Sequence, residues 1–146
     1  GVKWNFSSLV RWLRCGIPLP FGAIDNKRSM VALCNLVDFI ALCADSTRSP
    51  VAANQIFLIS DGEDISTTEL LRKVAKAYAV EARLVSLPSG LLRFMLSILG
   101  KSDLACRLLG SLEVDSSKAR DMLGWRPVVS MDEQLKQMAQ YDASIT

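Results

Sequence analysis

The stretch that decides the fold reads Asp115-Ser116-Ser117-Lys118-Ala119-Arg120 and, after two intervening residues, Leu123-Gly124-Trp125-Arg126-Pro127. It is a short helix with both ends marked. Asp115 is a natural N-cap, because a short acceptor side chain satisfies amides that a first turn leaves orphaned. Gly124 is a stop, since glycine takes the left-handed conformation without a Cβ clash. Trp125 and Pro127 seal that end. Every residue type here has a structural reason and none requires a ligand.

Working outward, Leu112-Glu113-Val114 is a short extended piece leading into this helix. Ser130-Met131-Asp132-Glu133 is a capping box that starts a last helix through Leu135, Met138 and Ala139. Upstream, Pro88 opens a helix to Leu99 that Gly100 stops. Arg83-Leu84-Val85-Ser86 reads as a strand. Ser66-Thr67-Thr68-Glu69 is another capping box, with Leu70, Leu71, Val74, Ala75 and Tyr78 behind it at helical spacing. Gln55-Ile56-Phe57-Leu58-Ile59-Ser60 is the clearest strand, closed by the Asp61-Gly62 turn. Residues 46–54 form a loop. Met30-Val31-Ala32-Leu33-Cys34 reads as a buried strand, after which Asn35 caps a helix holding Leu36, Val37, Phe39, Ile40 and Cys43 inward. At the start, Ser7 or Ser8 caps a helix with Leu9, Val10, Trp12 and Leu13 on its apolar face, ended by Gly16. Pro18 to Gly22 is extended and Ala23 to Lys27 is a polar turn.

Strands alternating with helices predict an α/β protein. Three or four short strands among five or six helices are few for a doubly wound sheet, so the pattern suits part of an enzyme. The 146 residues suffice for one core, with half of them hydrophobic. A net charge of +2 without a basic run gives no reason to expect nucleic acid as a partner. The chain has no histidine, which removes the commonest neutral-pH acid/base and metal ligand. Its four cysteines lack C-x-x-C spacing and read as reduced thiols, so no metal site is expected. No signal peptide is visible. Leu91 to Leu99, the greasiest window, is too short to span a bilayer and contains Arg93. The expectation is a cytoplasmic protein without a transmembrane segment. That window is apolar almost all round, as suits a helix buried or covered by another chain, and it predicts self-association.

Catalysis has little to stand on. No glycines stand at dinucleotide-turn or P-loop spacing. Tyr78 is followed four residues later by Ala82 and Tyr141 by Ile145, so neither begins a Tyr-x-x-x-Lys pair. Without histidine no ordinary triad assembles. No catalytic residue is expected in this chain.

The segment from Asp115 to Pro127 resembles the closing motif of the NAD-dependent epimerase/dehydratase family, the extended short-chain dehydrogenases acting on nucleotide sugars. Three further stretches resemble that family in order. Gly1 to Phe6 is similar to its Gly-Pro-Gly-x-x-x-Asn region, and Pro20-Phe21-Gly22 to its aromatic-Gly turn. Arg28 to Asp38 is similar to its Arg-Asp-Phe-x-x-Val-x-Asp-x-x-Asp segment, with Ser29 and Ala32 in place of the common Asp and His. The resemblance implies that residues 1–146 are a nucleotide-sugar-binding part whose NAD-binding Rossmann half is not in this chain.

It further implies a UDP-sugar 4-epimerase or 4-keto-sugar reductase. The alternatives are the substrate domain of a nucleotide-sugar dehydratase or a non-catalytic binding module. Full-length members move a hydride to tightly held NAD (or NADP), with a tyrosine as base; this part alone would be inactive. Its expected partners are a UDP-sugar and its own Rossmann domain. Arg28 corresponds to a diphosphate ligand, a role guanidinium geometry suits, although a solvated charge is the plainer reading. Phe21 would stack on uracil or serve as a core aromatic. Asn5 would contact the uridine end or cap the first helix. Arg107 stands near the family's second phosphate-binding arginine, but the usual Arg-x-Gly-Asp is here Arg107-Leu108-Leu109-Gly110-Ser111.

Overall fold

A computed structural model of the chain describes residues 6–45, 47, 49–98, 100, 106 and 108–145. The fold is α/β and mostly helical. The helices are α1 (Phe6–Arg14), α2 (Leu33–Ala44), α3 (Thr67–Ala77), α4 (Ser89–Ile98), α5 (Ser117–Leu123) and α6 (Met131–Ile145), with a 3-10 turn at Pro50–Ala52. Strands β1 (Arg28–Ser29) and β2 (Asp64–Ile65) pair into a two-stranded sheet. The chain divides into two compact units. The first comprises Gly1–Lys27, Ile65–Ser111 and Leu135–Thr146, and the second Arg28–Asp64 and Leu112–Gln134.

In the first unit α1 packs against α3. Helix α3 begins as its sequence demands: Ser66 Oγ accepts from Glu69 N and Glu69 Oε2 from Ser66 N, closing the capping box. Behind it Leu70, Leu71, Val74 and Ala75 are buried, as are Val10 and Leu13 of α1. Gly16, at φ +67°, follows α1 as expected. The strand expected at Arg83 to Ser86 shrinks to a single parallel bridge between Leu84 and Leu19. Gly22 closes on this segment with N to Val85 O at 2.9 Å, so near that a Cβ would lie 2.9 Å from Ser86 N.

The second unit corrects two expected strands. Residues Met30 to Cys34 are not a strand: α2 begins at Leu33 with Ala32 as N-cap, and Asn35 is inside the helix. A five-residue apolar run has no periodicity of its own, and the helical spacing of the residues after it extends back to Leu33. The inward face is Asn35, Phe39, Leu42 and Cys43, while Val37 and Ile40, expected inward, are exposed. Gln55 to Ser60 is in no ladder among the described residues. Its side chains nevertheless alternate as in a strand, with Phe57 and Ile59 packed on the core and Ile56 and Leu58 outside.

That core is Phe39, Ala119 and Trp125. The Phe39 and Trp125 rings meet edge-to-face at 5.1 Å, and Trp125 Nε1 donates to Asp38 Oδ2 at 2.9 Å. The closing motif is thus structural. Gly124 caps α5 at φ 63°, while Ser116 takes the N-cap position expected of Asp115. Asp115 acts one residue earlier, its carboxylate accepting from Ser117 N at 2.8 Å. The second capping box is also formed, Ser130 N donating to Glu133 Oε2 and Glu133 N to Ser130 Oγ.

Candidate functional site

Of the four residues singled out from sequence, Phe21 and Arg28 are described; Asn5 and Arg107 lie outside the described residues. Phe21 belongs to the first unit and Arg28 to the second.

Phe21 is 5% exposed. Its carbonyl and that of Ile24 receive the Thr68 hydroxyl at 2.6 and 2.9 Å, and Thr68 Oγ1 accepts from Ile24 N. The turn expected at Ala23 to Lys27 is therefore fastened to the first turn of α3. Asn26, buried in that turn, completes the fastening. Its Oδ1 accepts from Thr67 N at 2.8 Å, while Nδ2 donates to Leu108 O and Gly110 O at 3.2 and 3.0 Å. Lys27 N donates to Ser111 Oγ. In the first unit, then, residues 26–27 run beside 108–111.

In the second unit residues 28–29 run beside 112–114. Arg28 bridges to Leu112 in parallel, Ser29 N donates to Leu112 O at 2.8 Å, and Val114 N donates to Ser29 Oγ at 2.8 Å. Ser29 Oγ donates in turn to Asp64. A serine here can both give and accept, which a carboxylate cannot. Arg28 is half-buried on β1. The residues flanking Arg28, and those following Arg107, are thereby held in fixed backbone positions.

Asn35 and Asp61 organise the rest of the second unit. Asn35 is 0% exposed. Its Nδ2 donates to Asp61 Oδ1 and Val129 O, while its Oδ1 accepts from Val128 N and Val129 N, all within 3.0 Å. Asp61 also receives Ala32 N at the head of α2. A hollow of about 580 Å³ opens beside this group, bordered by Asp61, Ser116, Arg120, Arg126 and Glu133. Neither Phe21 nor Arg28 lines it.

The sequence reading missed Asn26, Asn35 and Asp61 as organisers. An isolated Asn in a polar turn, or at an apparent helix start, carries no periodic mark of burial. Asp61-Gly62 was legible only as a turn.

The Ser66 N–H holds the Glu69 carboxyl below its ordinary range, and the Ser117 N–H does the same for Asp115. Burial, then the bond to Asp142 at 2.7 Å, pushes the Tyr78 phenol up to about 12. A tyrosine working as a base needs the opposite shift, so Tyr78 is a structural donor. Among the described residues no group of three His, Cys, Asp or Glu side chains is arranged for a metal, and no helix is long and apolar enough to cross a membrane.

No protein-family model matches the chain, and no solved structure matches it. A UDP-glucose 4-epimerase of Vibrio cholerae is 47% identical over 141 residues, 96% of this chain. The chain spans 42% of the length of that protein. It is therefore similar to the C-terminal part of a UDP-glucose 4-epimerase, over less than half of that protein's length.

Proposed function

We propose that this chain is the nucleotide-sugar-binding part of an NAD-dependent UDP-sugar 4-epimerase. The observation that carries this reading is the 47% identity, sustained over 96% of the chain, to a UDP-glucose 4-epimerase. Arg28 holds the diphosphate, since its guanidinium stays charged and matches phosphate oxygens. Its half-buried seat on β1 supports the role. Arg107 supplies a second cation and Asn5 meets the uridine. Phe21 borders the uracil, and full stacking there requires the turn around it to uncover more than the 5% of its surface now open.

On this reading the cofactor is held elsewhere, since the glycines of the sequence lack the spacing of a dinucleotide-binding turn. Gly16, Gly100 and Gly124, with positive φ, stand just after helices, where they end a chain direction rather than cradle a phosphate at a helix start. The cofactor and the catalytic tyrosine belong to the portion of the enzyme corresponding to the unmatched length of the relative. The work of this chain is affinity and orientation, holding the nucleotide so that the sugar meets a nicotinamide carried elsewhere. The enzyme works in the cytoplasm, a reading its free cysteines support. It self-associates through the exposed face of α4.

Calorimetric titration with UDP and UDP-hexoses, comparing the wild type with Arg28→Ala, tests the proposal. Loss of a charged phosphate contact weakens binding by about 1.5–3 kcal/mol. Equal affinity in the two proteins removes Arg28 from the site.

A further inference from the structure

The hollow beside Asn35 and Asp61 lies wholly within the second unit, and Arg28 does not border it. The charged groups at its rim are unevenly satisfied. Asp61 accepts from Asn35 Nδ2 and Ala32 N, and Glu133 accepts from Ser130 N and Oγ. Glu63, the third acid at the rim, is also engaged. The two cations are not. The Arg120 and Arg126 guanidinium groups make no hydrogen bond or ion pair among the described residues, although the Asp115 charge lies near Arg120. Two open guanidinium groups at one mouth, beside acids that already have partners, suit an anion.

The hydroxyls of the hollow are held as loosely. Ser60 is 4% exposed, yet its hydroxyl donates to Ser116 Oγ at 3.3 Å and accepts from Gly62 N at 3.4 Å, both long for a hydroxyl. Ser116 takes the N-cap position of α5, but its side chain bonds no amide there. Its hydroxyl proton has no acceptor among the described residues. These groups border about 580 Å³, which admits a small metabolite and is far more than a bare ion fills. Pro127 and Val128 supply an apolar wall for the body of that molecule.

We propose that this hollow binds a phosphate monoester. Arg120 and Arg126 take the phosphoryl oxygens, the Ser60 and Ser116 hydroxyls are further donors, and the sugar or nucleoside lies against Pro127 and Val128. A phosphoryl group has enough oxygens for two separate guanidinium forks, whereas one fork already fills a carboxylate. The rest of the unit makes the site dependent on these two residues. Its sequence holds five Lys and Arg against ten Asp and Glu, so it draws no anions at large. The inference stands apart from the nucleotide-sugar reading, whose residues Phe21 and Arg28 do not line the hollow.

The test titrates the chain with inorganic phosphate, glucose 6-phosphate and adenosine monophosphate, read by calorimetry and by the amide resonances of Gly62, Ser116 and Arg120. At least one ester binds about 10-fold or more tightly than inorganic phosphate and moves those resonances. The tighter ester tells whether the body is a sugar or a nucleoside. Arg120→Ala and Arg126→Ala each weaken it by about 10-fold or more. Arg120→Lys and Arg126→Lys recover part of the loss, because they keep the charge and lose the fork. Arg28→Ala leaves the ester's affinity unchanged. Should the arginine variants melt early, Val128→Glu reads the site by another route. It sets a carboxylate at the rim on a side chain that is 58% exposed, and it too weakens binding. No binding up to about 10 mM overturns the proposal, as does an affinity that survives the double arginine variant. Equal affinity for phosphate and both esters means an adventitious ion only and also overturns it. So does ester binding that Arg28→Ala removes, since the ester then occupies the site proposed for UDP.

Discussion

Asn35 Nδ2 donates to Asp61 Oδ1 at 2.7 Å, and the same carboxylate accepts the backbone N–H of Ala32, where α2 begins. One buried amide and one acid thus join the start of a helix to the turn after Ser60, and through Val128 and Val129 to the chain beyond Trp125. All the polar positions of the Asn35 side chain are used, so an apolar replacement orphans several buried partners. We expect Asn35→Leu to cost about 3–5 kcal/mol in denaturant unfolding. Asn35→Asp brings a second carboxylate against Asp61 and loses the donor, so it is at least as damaging at neutral pH. A loss below 1 kcal/mol for Asn35→Leu would show that the network contributes little.

Gly22 and Gly62 require glycine for different reasons. At Gly22 the obstacle is space: a Cβ would meet Ser86 N and Val85 C at 2.9 Å. At Gly62 it is conformation, φ +82° with nothing within 4 Å of the added carbon. Gly62→Ala should therefore cost about 1–2 kcal/mol and be largely rescued by Gly62→Asn, which tolerates the left-handed region. Gly22→Ala should cost about 1–3 kcal/mol, and Gly22→Asn more, because the larger side chain worsens the clash. Rescue by Asn at position 22 as well would refute the close approach.

Tyr78 gives the fold a defined alkaline limit. Its phenol is pushed up to about 12 from an ordinary 10.0, by burial first and by the bond to Asp142 second. The folded state therefore favours the neutral phenol. That contribution is complete below pH 10 and is lost as pH rises from 10 towards 12. Unfolding midpoints measured across this window should fall more steeply in the wild type than in Tyr78→Phe, with Tyr141→Phe in both backgrounds so that one phenol is read. Parallel curves would mean that Tyr78 ionises alike in the folded and unfolded chain.

Local chemistry was legible in the sequence where it is self-contained. Both capping boxes, the glycine stops at Gly16 and Gly124, and the periodic face of α3 were readable because each depends on residues within a turn or two. What was not legible depends on partners distant in sequence. Asn35 looked like a cap because its partners, Asp61 and Val129, lie 26 and 94 residues away. Gln55–Ser60 has the composition of a strand, but a strand needs a neighbour, and none of the described residues is one. As for the site, Arg28 and Phe21 came from resemblance alone, while Asn26, which fastens the turn after Phe21 to residues 108–110, left no pattern to find.

Helix α4 supplies a last expectation. Leu92 is buried, while Leu91, Phe94, Met95 and Ile98 are exposed and repeat at i, i+3, i+4 and i+7. That spacing makes one apolar stripe along the helix, interrupted by no charge, since Arg93 lies off it. Two copies can bury such stripes against each other without disturbing their own cores. Sedimentation at rising concentration should therefore show the chain associating. Phe94→Lys should weaken that association by about 10-fold or more, while leaving the melting temperature at low concentration unchanged. The two readouts separate the possible roles of the ring. A monomer at every concentration removes α4 as an interface, and a lowered melting temperature at dilution would mean that Phe94 stabilises its own unit instead.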